Sequence, residues 1–343
     1  MSLVLKVDGD RWRDHLRAVV AEAPHLIPVA KGNGYGLGVG RLARRASWLG
    51  SSTMAVGTYD ELAEATSRFA GDIVVLTPWR GFLPAAVNAL GNPRIIHTVG
   101  RMEDLGHLKG QRIVIEVATS MQRHGFAVTR IREALAASAG ARIEALSVHL
   151  PLPGAANGVE FRQLLDALAP AMAEHGIHQV WASHLSSEQL GEITHPDIVV
   201  RPRIGTRLWL GAPETLHVEA RVLDAHSVGK GATYGYRRRV TKAAGTLLIV
   251  SGGTAHGIGL EAPAGSLTTR DRAARLARGG MEAMGRTRSP FFIGTHQAMF
   301  AEPPHMQSSM LFLPASLKAP EPGEVIAARV RHTATTFDAV EIV

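Results

Sequence analysis

The chain has 343 residues, 45% of them apolar and 20% charged, with a formal net charge of +7 and no cysteine. That balance is ordinary for a globular protein, the missing cysteines exclude disulfides and thiolate metal sites, and no apolar run approaches the roughly 20 residues that span a bilayer. The positive charge raises nucleic acid as a partner, yet the denser basic stretches, Arg237–Arg239 and Arg270–Arg288, do not interleave aromatic residues as a single-strand binder does, so a solvated basic surface is expected and nucleic acid is not.

Met1–Asp8 lacks the apolar stretch and cleavage site of a secretory signal, so a cytoplasmic location is expected. Apolar, β-branched runs then predict strands at Ile27–Lys31, Met54–Thr58, Ile73–Thr77, Arg94–Thr98, Arg112–Val117, Ala145–Leu150, Gln179–Ser183 and Ile198–Arg203. Helical segments are expected between them, including Asp60–Phe69, Thr129–Ala139 and Glu160–His175. In the last, Phe161, Leu164, Leu165, Leu168 and Met172 share one face. Strands alternating with helices in this number fit a closed (β/α)8 barrel, with a doubly wound parallel sheet as the alternative. After Gly211 the pattern changes to strands at Leu216–Val222, Ala244–Ser251, Ser309–Leu313 and Val325–Arg331 without regular helices, which reads as a mostly β domain. The expected division is 1–213 and 214–343, the first residues being able to pair with the C-terminal domain. A basic insertion near 266–288 interrupts the second domain, with Thr269 as N-cap of a helix-favouring run to Arg278.

Ile27-Pro28-Val29-Ala30-Lys31-Gly32-Asn33-Gly34-Tyr35-Gly36-Leu37-Gly38 carries the chemistry. A strand delivers one lysine to its end, where burial penalises the ammonium and lowers its pKa. That is the setting of a Schiff-base lysine, and the glycines after it let backbone N–H groups approach a phosphate. A snorkelling lysine beside an ordinary Gly-rich turn is the other reading of the same residues. In a barrel the site forms at the C-terminal strand ends. Lys31, Arg123, His149, Ser186 and Arg203 all fall at or just past predicted strand ends.

This run resembles the pyridoxal-lysine motif of alanine racemases, which are fold-type III pyridoxal phosphate enzymes. The likeness extends along most of the chain in the family's order. Glu116-Val117-Ala118-Thr119-Ser120-Met121-Gln122-Arg123-His124-Gly125-Phe126 is similar to the segment whose arginine meets the cofactor's phenolic oxygen and the substrate carboxylate. The resemblance gives that role to Arg123, with Glu116, where the family often has a carbamylated lysine, expected to orient it. His149 resembles the histidine that buttresses the catalytic tyrosine, and Ser186 the phosphate-binding serine, although an N-cap explains Ser186 equally well. Arg203-Ile204-Gly205-Thr206 resembles the step in which an arginine faces the pyridine nitrogen and the next residues hold phosphate; Arg201-Pro202 is a competing register.

In the second domain Gly229-Lys230-Gly231-Ala232-Thr233-Tyr234-Gly235-Tyr236 resembles the segment with the catalytic tyrosine. Tyr234 is preferred and Tyr236 is the fallback. Met306 resembles a methionine lining the substrate pocket, with Gln307 replacing an aspartate beside it. No counterpart of the family's late phosphate-binding tyrosine occurs before Val343. The resemblance implies a pyridoxal phosphate-dependent amino-acid racemase with Lys31 and Tyr234 as its two bases, Tyr35 beside the cofactor and alanine as the default substrate. It also implies a homodimer with shared sites. His175, His178 and His184 are the weak metal alternative, and no metal is expected. The departures at Gln307 and the C-terminus fit a second reading, a pyridoxal phosphate-binding protein with little catalysis and a regulatory or cell-wall-associated role.

Overall fold

The computed structural model describes residues 3–260 and 287–343. The expected basic insertion, apart from its last positions, and the helix from Thr269 lie outside the described residues. The chain forms two compact units, one of Arg13–Ala212 and one in which the segment ending at Trp12 joins Pro213–Val343. Among the described residues no helix is long and apolar enough to cross a membrane.

Strand β1 (Leu3–Val7) belongs to the second unit. The first unit is a barrel of eight parallel strands: β2 (Ile27–Pro28), β3 (Thr53–Val56), β4 (Asp72–Val75), β5 (Ile95–Val99), β6 (Arg112–Val117), β7 (Arg142–His149), β8 (Gln179–Ser183) and β9 (Val199–Ile204). Consecutive strands from β3 to β9 pair in order, and β9 pairs with β2. The circuit closes at one bridge, Val29 to Ala55, reinforced by the Ala30 N–H donating to the Ala55 carbonyl at 2.8 Å. That closure excludes the doubly wound sheet.

Side chains alternate along each strand, so the barrel interior is built in layers. Ile27, Val29, Ala55, Val74, Ile96, Val114, Ala145 and Trp181 form the apolar plug. Two residues beyond the plug on three neighbouring strands the inward positions are polar, Glu116, Ser147 and Ser183, and Arg203 of β9 joins them, with Glu116 opposite Ser147 and Ser183 opposite Arg203 in register. The change from apolar to polar marks where packing ends and the site begins.

Two helices depart from the sequence expectation. The segment Asp60–Phe69 is a 3-10 turn, Tyr59–Glu61, followed by the short helix Leu62–Thr66. Glu61 accounts for the tight start: its carboxylate accepts from the N–H groups of Gly57 (2.6 Å), Thr58 (3.3 Å) and Gly32 (2.8 Å). The helix expected from Glu160 begins at Ala155, after extended Gly154, because the alanines there favour helix and Asn157 ties its side-chain amide to the Pro151 and His184 carbonyls.

The second unit is antiparallel apart from one parallel edge. Its strands are β1, β10 (Leu216–Val228), β11 (Thr233–Tyr234), β12 (Arg239–Val240), β13 (Gly245–Ser251), β14 (Arg288–Ile293), β15 (His296–Phe300), β16 (Ser308–Pro314), β17 (Val325–Ala328) and β18 (Ala339–Ile342). The long β10 pairs with β17 along its first half and β13 along its second, so β10, β13, β16, β15, β14 and β17 form a closed circuit. β1 lies antiparallel to β10 and parallel to β18. The architecture is the (β/α)8 barrel with a mostly β C-terminal domain read from the sequence.

Candidate active site

Lys31 follows the bridge that closes the barrel. Its side chain keeps contact with solvent, yet enough protein surrounds the ammonium that burial leads the causes lowering its pKa. The charges of Arg123 and Arg203 act in the same direction, and Glu61 opposes them. Gly57, at the end of β3, gives the lysine room: a Cβ there would stand 2.9 Å from the Lys31 Cβ. Glu61 joins these two strand ends through its bonds to Gly32 and Gly57.

The Gly34–Gly36 turn carries Tyr35 at φ +57°, a conformation unusual for a residue with a side chain. Tyr35 is buried, and its hydroxyl bonds the Thr206 side chain. Burial pushes its pKa up to about 12, so it stays a neutral phenol. Gly205 precedes the short helix Thr206–Leu210, and a Cβ at 205 would fall on the Tyr35 hydroxyl. Trp209 anchors the helix by donating its indole N–H to the Val29 carbonyl at 2.7 Å. Tyr35, Gly205 and Thr206 therefore form one cradle beside the lysine strand.

Arg203 is buried in the polar layer. Its Nε donates to Ser183 Oγ at 3.0 Å, Nη1 to Ser147 Oγ at 2.7 Å and Nη2 to the Val148 carbonyl at 3.1 Å. Burial lowers its pKa, and Glu116 acts to raise it. Arg201, the competing register, occupies the other end of the barrel, over the Trp181 ring at 5.6 Å and bonded to the His25 carbonyl at 3.1 Å. Of the two, only Arg203 stands at the mouth.

His149 ends β7 one layer above Ser147. Its pKa is lowered to about 3, by burial first and then by Arg203, Arg123, His184 and Lys31, so the ring is neutral. Its ring lies 4.9 Å from that of His184, whose Nδ1 donates to the Leu150 and Pro151 carbonyls at 3.0 and 2.7 Å. Arg123 sits on the exposed loop after β6, and its charge acts on Lys31, His149, Arg203 and Glu116. The orientation of Arg123 by Glu116 is not what the fold builds. Glu116 accepts from the Ser147 hydroxyl and lies 3.9 Å from Arg203, because its strand directs it inward while Arg123 lies on the loop beyond.

Ser186 is the N-cap of the helix Ser187–Glu192. Its Oγ accepts from the Gln189 N–H at 3.1 Å and the Gln189 side chain accepts from the Ser186 N–H. Its acceptor capacity serves the cap.

The remaining expected residues belong to the second unit. Tyr234, on β11, donates its hydroxyl to the Ala301 carbonyl at 3.1 Å, whereas Tyr236 is 85% exposed with its ring 4.6 Å from that of His305. The turn between them closes on buried Glu302. A Cβ at Gly235 would fall on that carboxylate, which also accepts from the Tyr236 N–H and meets His305 Nε2 at 2.6 Å. Met306 is exposed on the following loop. Among the described residues no group of three or more His, Asp or Glu is placed to hold a metal. His175 and His178, like His184, turn Nδ1 to backbone carbonyls.

The sequence reading missed Glu61, Ser147, Ser183 and Glu302. Ser147 and Ser183 carry a usable signal, since each lies inward on its strand immediately above the apolar plug.

The family described as alanine racemase, N-terminal domain, matches residues 7–213. Among solved structures, the chain is similar to alanine racemase from Bartonella henselae with covalently bound pyridoxal phosphate, at 18% identity over 100% of both chains and a TM-score of 0.72. It is similar to the alanine racemase of D-cycloserine-producing Streptomyces lavendulae at 18% identity, 100% and 97% coverage and a TM-score of 0.72. The E. faecalis alanine racemase follows at 16%, 100% and 98%, and 0.71. No curated protein matches the chain in sequence.

Proposed function

This chain belongs to the alanine racemase family, and on that premise we propose that it is a pyridoxal phosphate-dependent amino-acid racemase with Lys31 and Tyr234 as its bases. The observation that carries the reading is a lysine of lowered pKa sharing one barrel mouth with a buried arginine and the Tyr35–Gly205–Thr206 cradle. These residues fit pyridoxal phosphate. Lys31 would hold it covalently; Thr206, Tyr35 and the backbone at Gly205 would hold the phosphate, with Ser186 as a further hydroxyl. Arg203 would face the ring nitrogen and Arg123 the phenolic oxygen and the substrate carboxylate.

When bound, pyridoxal phosphate supplies an electron sink that makes the α-proton of an amino acid removable. Lys31 moves that proton at Nζ on one face, and its lowered pKa increases the share of free amine near neutrality. Tyr234 moves it at its phenolic oxygen on the other face. In the arrangement the family implies, Tyr234 comes from the partner in a homodimer with two shared sites, and Met306 lines the substrate pocket. Arg203 cannot release a proton, so it would offer the ring nitrogen a hydrogen-bond donor without acting as an acid. Neutral His149 serves as a hydrogen-bonding neighbour, not as a charge. Alanine is the substrate the family implies.

One observation supports the second reading, a pyridoxal phosphate-binding protein without turnover: the Tyr234 hydroxyl is committed to the Ala301 carbonyl. The test is to load the protein with pyridoxal phosphate in deuterated water, add each L-amino acid and follow the α-proton by NMR. Loss of the alanine α-proton together with formation of the D-isomer is expected. No exchange with any amino acid, despite bound pyridoxal phosphate, would leave the non-catalytic reading.

A further inference from the structure

Arg203 is buried in the polar layer, yet among the described residues no carboxylate hydrogen-bonds it directly. Glu116, on β6, is the nearest, and its Oε2 stands 3.9 Å from Nη1, beyond hydrogen-bond length. Ser147 lies between them on β7, fully buried and in register with Glu116. Its Oγ accepts from Arg203 Nη1 at 2.7 Å and donates to Glu116 Oε2. The direction of this relay is fixed by chemistry. A guanidinium can only donate, an ionised carboxylate can only accept, and the serine has one proton to give. With that proton on Glu116, the serine presents only lone pairs to Arg203.

We infer that Glu116 is the positioning residue of Arg203, acting through Ser147 to fix the plane of the guanidinium and balance its charge. The inference rests on the proposed function for what Arg203 faces, though the relay itself is a property of the barrel. Ser183 and the Val148 carbonyl hold the guanidinium at Nε and Nη2. Only the Ser147 branch leads to a counter-charge. Three of the five N–H donors are used by these bonds, so two remain for a ligand in a plane set by the other three. Burial disfavours the charges of both Arg203 and Glu116, and each opposes that effect in the other. Removing the negative charge would weaken the serine's bond to position 116 and leave Arg203 buried without that compensation.

The test uses the full chain labelled with 15N-arginine, with the Arg203 Nε–H signal assigned from an Arg203→Lys protein. Glu116→Gln keeps the shape and removes the charge; Ser147→Ala removes the bridge and leaves the acid. Each is expected to speed solvent exchange of the Arg203 Nε–H by about tenfold, the loss of roughly one hydrogen bond. Ser147→Thr, which restores a hydroxyl, is expected to return exchange toward wild type. In the pyridoxal phosphate-loaded protein, Glu116→Gln is also expected to shift the pH midpoint of the cofactor's visible absorbance. Exchange within about twofold of wild type in Glu116→Gln overturns the inference, including the case where Ser147→Ala alone accelerates it. Should Glu116→Gln fail to fold, Glu116→Asp, which keeps the charge but withdraws it from Ser147 Oγ, decides with the same threshold. The exchange readout needs no turnover, so a protein without racemase activity overturns the proposed function and leaves the relay to be judged separately.

Discussion

Arg201 and Arg203 lie two residues apart on β9 and point to the same side of the strand, yet the barrel treats them differently. Arg201 is half-buried at the bottom, over Trp181, and lines a cavity with His25, Ser51 and Ser52. The carboxylate that acts on it, Asp72, is held by Arg112 at 2.6 Å. Arg203 is buried at the top in a cradle of two serines, a carbonyl and a relayed acid. Both arginines have lowered pKa values through burial. The difference is that Arg201 meets a ring, a carbonyl and a hydroxyl, whereas Arg203 is tied through Ser147 to the Glu116 carboxylate. Position in the barrel's layers, more than residue type, separates a packing arginine from a site arginine.

Replacing each arginine by methionine separates the two positions energetically. Arg203→Met leaves Glu116 buried without its cation and is expected to lower stability by about 3–5 kcal/mol. Arg201→Met loses a ring contact and two weaker hydrogen bonds, for about 1 kcal/mol. Urea denaturation measures both, and equal losses would mean that the polar layer has no special energetic status.

The histidine above the cradle contributes a smaller, pH-dependent effect. His149 titrates near pH 3 in the folded chain and near 6.5 when unfolded, so unfolding takes up a proton as the pH falls. Its contribution is fully present above about pH 6.5 and is lost progressively toward pH 3. A His149→Gln protein should therefore lose less stability than wild type between those limits. Parallel stability curves for the two proteins would show that the histidine is not held neutral by its surroundings.

The sequence reveals the barrel because its strands are short β-branched runs at regular spacing, and Arg112–Val117 and Gln179–Ser183 have the bounds expected. It places Lys31, His149 and Arg203 at strand ends for the same reason. Partners across strands are harder to read. That Glu116 serves Arg203 depends on which residues fall in register on β6 and β7, and the pairing shifts register between Ile113 and Val114. The short strands β11 and β12 escape a periodicity argument because two residues carry no period. Glu302 is hidden in a proline-containing loop, and only its packing against Gly235 gives it away.

The proposed function makes the mouth of this barrel a pyridoxal phosphate site with Lys31 as its covalent anchor. The most direct measurement is to incubate the purified chain with pyridoxal phosphate, reduce with borohydride and map the modified peptide by mass spectrometry. The expected result is one stoichiometric adduct on Lys31, absent from a Lys31→Ala protein. No adduct at Lys31, or adducts spread over exposed lysines at similar occupancy, would contradict it.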